Sequence, residues 1–312
     1  MYLALDDAAA RQTIDAMTVW AELARVRKQY QPYAAGLYWK KEGEYEYLVK
    51  TGRRGRQERL GRRSPETEQV YAEFHKRKSL LEPRLKSLEA QLVSAQRLNR
   101  AVKAGRVPAI VIEILNAFDA AGLAEHFTVV GTHALYAYEA AAGVRIAPQT
   151  LATQDVDLLW DARKRVRFVA EMKHLGKPIL KILQGVDPSF ERKEMQNETA
   201  INAKGFQVDF LRRMSQDGDP HPFKFSDAEE DMWPVQAVRA NVLTEAPPFE
   251  HIVISATGTM ALMRTVSPKV FLEFKLWLAD QSSREPLKRS RDRSQALTVQ
   301  SLMDEGLLQS AG

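Results

Sequence analysis

Two aspartates one residue apart constrain this chain more than anything else in it. Asp155 and Asp157 stand in Gln154-Asp155-Val156-Asp157-Leu158-Leu159-Trp160. In an extended strand alternate side chains share a face, so both carboxylates point one way while Val156 points into a core. A third carboxylate, Asp209, follows in Gln207-Val208-Asp209-Phe210, and a Gly131-Thr132 turn precedes in Val129-Val130-Gly131-Thr132-His133-Ala134. Two hard oxygen ligands side by side suit Mg²⁺, which takes carboxylates together with substrate phosphates. The pattern reads as a phosphoryl-transfer site on a sheet.

Composition narrows the class. The 312 residues contain no cysteine, which excludes disulfides, thiolate metal sites and a cysteine nucleophile. No stretch of eighteen apolar residues occurs, and Met1-Tyr2-Leu3-Ala4-Leu5-Asp6-Asp7 has no basic segment followed by an apolar one. A cytoplasmic protein with no membrane partner is the expectation. The net charge of +5 is unevenly spread: residues 1–106 hold 22 Lys and Arg against 13 Asp and Glu, and the remainder holds 23 against 27. A basic first third suits a polyanion; solvated basic helix faces are the plainer account.

Apolar residues at three- and four-residue steps (Ala9, Ile14, Met17, Trp20, Leu23, Val26) predict a helix over 7–30. From Gly36 the pattern shifts to short strands near 37–39, 45–49 and 57–60, with Gly43 and Gly52 to Gly55 between them, which is a β-meander. Ser64-Pro65-Glu66 is a helix start with a serine cap and proline at the first helical position. That helix runs to about Lys103, with Pro83 as a candidate interruption. Its Leu81-Leu85-Leu88-Leu92-Ala95 seam either packs within its own domain or mediates self-association. Gly105-Arg106-Val107-Pro108 marks a boundary. Beyond it the order is helix (110–121), strand (127–130), helix (133–142), strand (156–160), helix (163–175) and strand (207–211). Residues 217–250 show no pattern. A strand is expected at 251–255 and helices at 268–280 and 294–308. The fold class is α+β. Residues 1–105 form a basic helical and β-meander region, 106–225 a mixed-sheet core with the acids, and 226–312 a mostly helical end.

Gly131-Thr132, Asp155-x-Asp157 and Asp209 together resemble the DNA polymerase β-like nucleotidyltransferase superfamily. Val129 to Glu139 and Asp155 to Arg163, with Arg56-Gln57-Glu58-Arg59-Leu60-Gly61, look like a bacterial family of uncharacterised nucleotidyltransferase-fold proteins. The resemblance implies that Asp155, Asp157 and Asp209 hold two Mg²⁺ ions, with Mn²⁺ as a substitute, and that Asp209 helps deprotonate the acceptor hydroxyl. It also implies that Gly131 and Thr132 receive the triphosphate. Physically, glycine lets the backbone approach phosphate, and a helix N-terminus offers free N–H groups. Thr132 stands where the superfamily has Gly or Ser, and the segment Gly143 to Thr150 reads as an insertion. Lys275-Leu276-Trp277-Leu278-Ala279 with Arg284 and Arg291-Asp292 is similar to abortive-infection nucleotidyltransferase toxins. That similarity adds Lys275 and Asp292 to the nucleotide site; a solvated basic tail at 288–293 is the alternative.

The function expected is transfer of an NMP from an NTP, ATP included, to a hydroxyl acceptor in a reaction of EC 2.7.7 type. RNA, tRNA among it, is the first acceptor, ahead of protein or a small molecule, and a cognate antitoxin is a candidate partner by analogy. The competing reading is a silent nucleotide- or nucleic-acid-binding regulator. Trp39, Tyr45 and Tyr47 interleaved with Lys40, Lys41, Lys50, Arg53, Arg54, Arg56, Arg59, Arg62 and Arg63 suit nucleic acid, since rings stack on bases and cations meet phosphates. The other reading makes those rings the meander's own core. His133 suits either phosphate or backbone bonding. His221 reads as part of a turn, Ser255 to Gly258 as strand-to-helix punctuation, and Tyr136 and Tyr138 as core or as a base-stacking platform.

Overall fold

A computed structural model describes residues 2–52, 57–216 and 218–309. Arg53, Arg54, Gly55 and Arg56, parts of the predicted meander turn and basic surface, and Asp217 lie outside the described residues. The chain forms two compact units: residues 11–102, and residues 1–10 together with 103–312. Among the described residues, no helix is long and apolar enough to cross a membrane.

In chain order the first elements are β1 (Tyr2–Ala4), α1 (Asp7–Tyr30), β2 (Leu37–Glu42), β3 (Tyr45–Thr51), β4 (Gln57–Arg62) and α2 (Pro65–Ala101). The meander β2-β3-β4 is antiparallel throughout. Its inward side chains Leu37 and Leu48 close over Phe74 of α2, with Tyr33, Trp39 and Tyr71 around them. At the start of α2, Thr67 N–H donates to the Ser64 side chain, and Ser64 N–H donates to Thr67 Oγ1 at 2.8 Å. The helix continues through Pro83 instead of breaking there. A proline removes one N–H and one ladder bond, and packing on both sides of it outweighs that loss. The leucine seam meets α1: Leu23 and Val26 bury against Leu88, flanked by Leu81, Leu85 and Leu92. Ile14, expected on the buried stripe of α1, is 65 % exposed, and Thr13 and Ala16 take the inner face.

The larger unit continues with α3 (Ala109–Ala120), β5 (Phe127–Val130), α4 (Ala134–Ala142), β6 (Val144–Ile146), α5 (Pro148–Leu151), β7 (Asp155–Trp160), α6 (Arg165–Leu175), α7 (Ile179–Val186), β8 (Glu191–Arg192), β9 (Thr199–Ile201) and β10 (Gln207–Arg212). It ends with β11 (Val235–Gln236), α8 (Ala240–Glu245), β12 (Pro248–Ile254), β13 (Met260–Val266), α9 (Pro268–Asp280) and α10 (Pro286–Asp304). The central sheet has the order β5-β7-β10-β9-β8, with β11 also on β10. It is mixed: β5 and β7 run antiparallel, β7 and β10 parallel. The α+β mixed-sheet architecture is the one the sequence predicts.

Several local expectations change. Ser255 to Gly258 is the tip of a β12–β13 hairpin, strand to strand, not strand to helix. From Ala261 to Thr265 exposure alternates: Ala261, Met263 and Thr265 are buried, Leu262 is 41 % exposed and Arg264 half-buried, the period of a one-sided strand. The segment Gly143 to Thr150 forms β6 and α5, and β6 pairs with β1. Part of the unpatterned stretch 217–250 is core: the Phe223 ring stacks on Trp160 with centroids 4.5 Å apart, and Phe225 is buried. Lys288 to Arg293, read alternatively as a solvated tail, form the early turns of α10.

Leu88→Ala is expected to lower the stability of the 11–102 unit by about 2–4 kcal/mol in denaturant unfolding. Sedimentation should find the same oligomeric state before and after. A mutation that changed assembly would place the seam between chains.

Candidate functional site

Strands β7 and β10 are in parallel register, with Asp157 opposite Asp209 and Val156 opposite Val208. The two-residue period then sorts the side chains by face. Val156, Leu158, Val208 and Phe210 enter the core, while Asp155, Asp157 and Asp209 stand on the other face and keep partial exposure. The three predicted acids are therefore neighbours. Their ligand atoms are not all within 4.8 Å of one another; among the described residues only Glu125, His126 and Glu171 form a group that tight. That trio is committed elsewhere. Arg167 pairs with Glu125 and Glu171, and His126 Nε2 lies 2.5 Å from Glu171 Oε2.

The predicted turn closes onto the acids from β5, whose last residue, Val130, is opposite Asp157. Gly131 has φ of +67°, and a Cβ built there would fall 2.1 Å from Asp157 Oδ2. Both facts demand glycine. Thr132 is buried, and its Oγ1 accepts a 3.1 Å bond from Gln295 Nε2, which also donates to the Thr150 carbonyl at 2.9 Å. That arrangement leaves the threonine hydroxyl hydrogen free of Gln295. Hydroxyls steady the acids too: Thr153 donates to Asp155, and Thr199 Oγ1 donates to Asp209 Oδ1 at 2.5 Å.

His133 is in the core beside Tyr136 and Phe206. Burial pulls its pKa down to about 4, with the Asp155 charge resisting, so a neutral imidazole stands where a phosphate-binding cation was one expectation. Tyr138 is fully buried and donates to the Val266 carbonyl, and Tyr136 is 8 % exposed. Both are core, not stacking platforms. His221 lies in its predicted non-regular segment, 2.6 Å from the Arg212 guanidinium.

Gly131, Thr132, Asp155 and Asp157 line a cavity of about 400 Å³. Lys275, Arg284, Lys288 and Arg291 line it as well. Asp209 does not line it, and nor does Asp292, expected at the nucleotide. Asp292 is fully buried in α10, where it accepts from Lys275 Nζ at 2.8 Å and from Arg284 Nε at 2.5 Å. It therefore holds two cations in place and does not itself face the cavity. Burial lowers the Lys275 pKa, opposed by the Asp292 carboxylate. Asp157 is pushed up to about 7, first by desolvation, then by the charges of Asp155 and Asp209, with Lys275 and Arg284 pulling the other way. Asp209 is raised for the same first reason, with the Thr199 hydroxyl opposing.

A family model described as a nucleotidyltransferase matches residues 109–311. The chain belongs to this nucleotidyltransferase family. The match begins at the first turn of α3 and leaves the 11–102 unit outside. No curated protein and no solved structure matches the chain. Nucleotidyltransferase membership carries the general chemistry, transfer of an NMP from an NTP, and a divalent metal is typical of such enzymes. The sequence reading missed Lys288 and Gln295 in this nucleotidyltransferase. Their signal was present: Lys288, Arg291 and Gln295 recur at three and four residues and share one helix face.

Gly131→Ala should reduce nucleotidyl transfer at least about a hundredfold and lower the melting temperature, because the new methyl meets Asp157 in a backbone region glycine favours. Metal-free stability should also depend on pH. Asp157 binds its proton up to about pH 7 in the folded chain, against an ordinary aspartate value of 3.8. Between those values the folded state carries the extra proton, so stability falls as pH rises. Thermal melts in EDTA should show Asp157→Asn several degrees more stable than wild type at about pH 8 and little changed at about pH 4. Equal differences at both pH values would contradict this origin.

Proposed function

We propose that the chain is a Mg²⁺-dependent enzyme that transfers an NMP from an NTP to a hydroxyl of an RNA acceptor and releases pyrophosphate. The observation that supports this most is one cavity carrying Asp155 and Asp157 together with Lys275, Arg284, Lys288 and Arg291. Carboxylates for metal and cations for phosphate are the two needs of phosphoryl transfer.

The residues fit the metal. The donors are all carboxylate oxygens, the set Mg²⁺ prefers, and a carboxyl raised to about 7 among like charges has most to gain from a cation. Asp155, Asp157 and Asp209 would hold the ions, which when bound would neutralise charge on the triphosphate and acidify the acceptor hydroxyl. The chain's own groups do the rest. Gly131 lets the backbone close on the phosphates, and the Thr132 hydroxyl, turned by Gln295, donates to an oxygen there. Lys275 and Arg284, held by Asp292, and Lys288 and Arg291 stabilise charge that builds on the leaving pyrophosphate. The acceptor oxygen bonds to the α-phosphorus as the α–β bridging bond breaks, the electron pair leaves with pyrophosphate, and Asp209 takes the hydroxyl proton.

RNA is favoured by the meander. Arg59 lies over the Tyr47 ring at 4.1 Å, Arg62 over Tyr45 at 4.3 Å and Arg63 over Trp39 at 5.1 Å. Carboxylates Glu42, Glu46 and Glu68 engage Arg59 and Arg63, so the charge is partly neutralised. Arg62 has no carboxylate partner among the described residues, and Tyr45 is half exposed, which leaves a ring and a guanidinium for a base and a phosphate.

The test is label transfer from each α-³²P NTP with Mg²⁺ into total RNA and protein. Label in RNA is expected, falling about a thousandfold or more in Asp155→Ala. Label only in protein would replace the acceptor. Nucleotide binding with no label in any fraction would leave a binding protein.

A further inference from the structure

We infer that the apolar half of the same cavity is the nucleobase site, and that it reads a base by stacking and shape instead of by hydrogen bonds. This rests on the proposed function and adds the part of the substrate that reading leaves open. Among the cavity's charged side chains, Lys275 and Arg284 are close enough to Asp157 to oppose its raised pKa. Its larger apolar side chains include Leu211, Val238, Leu243, Phe274, Trp277 and Leu278. The Trp277 indole N–H is the one side-chain donor among these six, and they offer no side-chain acceptor.

Several backbone N–H groups there are already engaged. Ala237 N–H donates to the Arg212 carbonyl, Ala240 N–H to Ala237, and Val242 N–H to Arg239. Leu211 is in the sheet ladder, and Phe274, Trp277 and Leu278 lie inside α9. A base entering this space meets mostly apolar surface.

The surface suits a planar ring. Phe274 and Trp277 are both half-buried, with centroids 5.7 Å apart and planes 33° apart. The Arg239 guanidinium lies 5.1 Å from the Trp277 centroid. Arg239 takes a left-handed φ of +60° at the start of α8, an uncommon conformation for a non-glycine residue. Helix α9 carries Lys275 between Phe274 and Trp277-Leu278, so one helix would meet both the triphosphate and the base.

A site built on hydrogen bonds rejects the wrong analogue by about 10⁴–10⁵, whereas an apolar pocket discriminates by about 10–200. All four NTPs should therefore react within about a hundredfold of one another in kcat/KM, purines ahead because they stack best. Calorimetry with Mg²⁺ tests the assignment, using the four NTPs and inorganic tripolyphosphate as probes. Trp277→Ala should weaken every NTP about 5- to 150-fold, the loss of one stacked base, and leave tripolyphosphate binding unchanged, while Trp277→Phe keeps most of the affinity. Val238 is 64 % exposed, so Val238→Trp should fold normally and fill the base site, again sparing tripolyphosphate. Wild-type NTP affinity in Trp277→Ala and Val238→Trp, or one NTP more than about a thousandfold ahead, would overturn the base site alone. Wild-type protein that binds neither NTP nor tripolyphosphate would overturn the function and the base site together.

Discussion

Like charges held together on one face of a sheet are the condition to which the rest of this site answers. The parallel register of β7 and β10 sets Asp157 beside Asp209, and the strand period adds Asp155 to the same face. Water would screen such a group, but the Gly131 turn and α10 limit its access. The result is a carboxyl at Asp157 that keeps its proton to about pH 7. The neighbouring groups reduce the cost: hydroxyls of Thr153 and Thr199 donate to Asp155 and Asp209, and the Lys275 and Arg284 charges oppose the raised pKa of Asp157.

Those cations need support of their own, since a buried lysine is costly without a partner. Asp292 supplies it, accepting from Lys275 with one oxygen and from Arg284 with the other while excluded from solvent. An acid that the family likeness places at the nucleotide acts one step behind it. Gln295, one turn further along α10, works similarly through Thr132. A single helix face thus presents cations directly and positions other groups indirectly.

Much of the core was legible because its signals are local. Alternation around Asp155-Val156-Asp157, a glycine before a helix and a cap at Ser64 each report on a few consecutive residues. The parts that stayed hidden depend on contacts distant in sequence. Nothing near Thr132 announces that Gln295 will reach it, and nothing near Asp292 says that both its oxygens will be taken. The basic run at 288–293 looked like a solvated tail because four of its six residues are cations; in the fold, one helix face carries two of them to the cavity. The β12–β13 hairpin was missed for another reason. Ser255 to Gly258 fits a turn into either a helix or a strand, and the apolar run Met260 to Met263 fits both, so only the pairing of β13 with β12 decides it.

The order of elements along the chain carries a consequence in time. The acids lie on β7 and β10, and their counter-charges lie later in the chain, on α9 and α10. During synthesis the acidic face emerges well before the lysines and arginines that balance it. A nascent chain stalled before α10 would carry the three acids without Lys288 and Arg291 opposite them. The balance of charge is thereby deferred until α9 and α10 have been made, and a chain cut short of them would keep its carboxylates unbalanced.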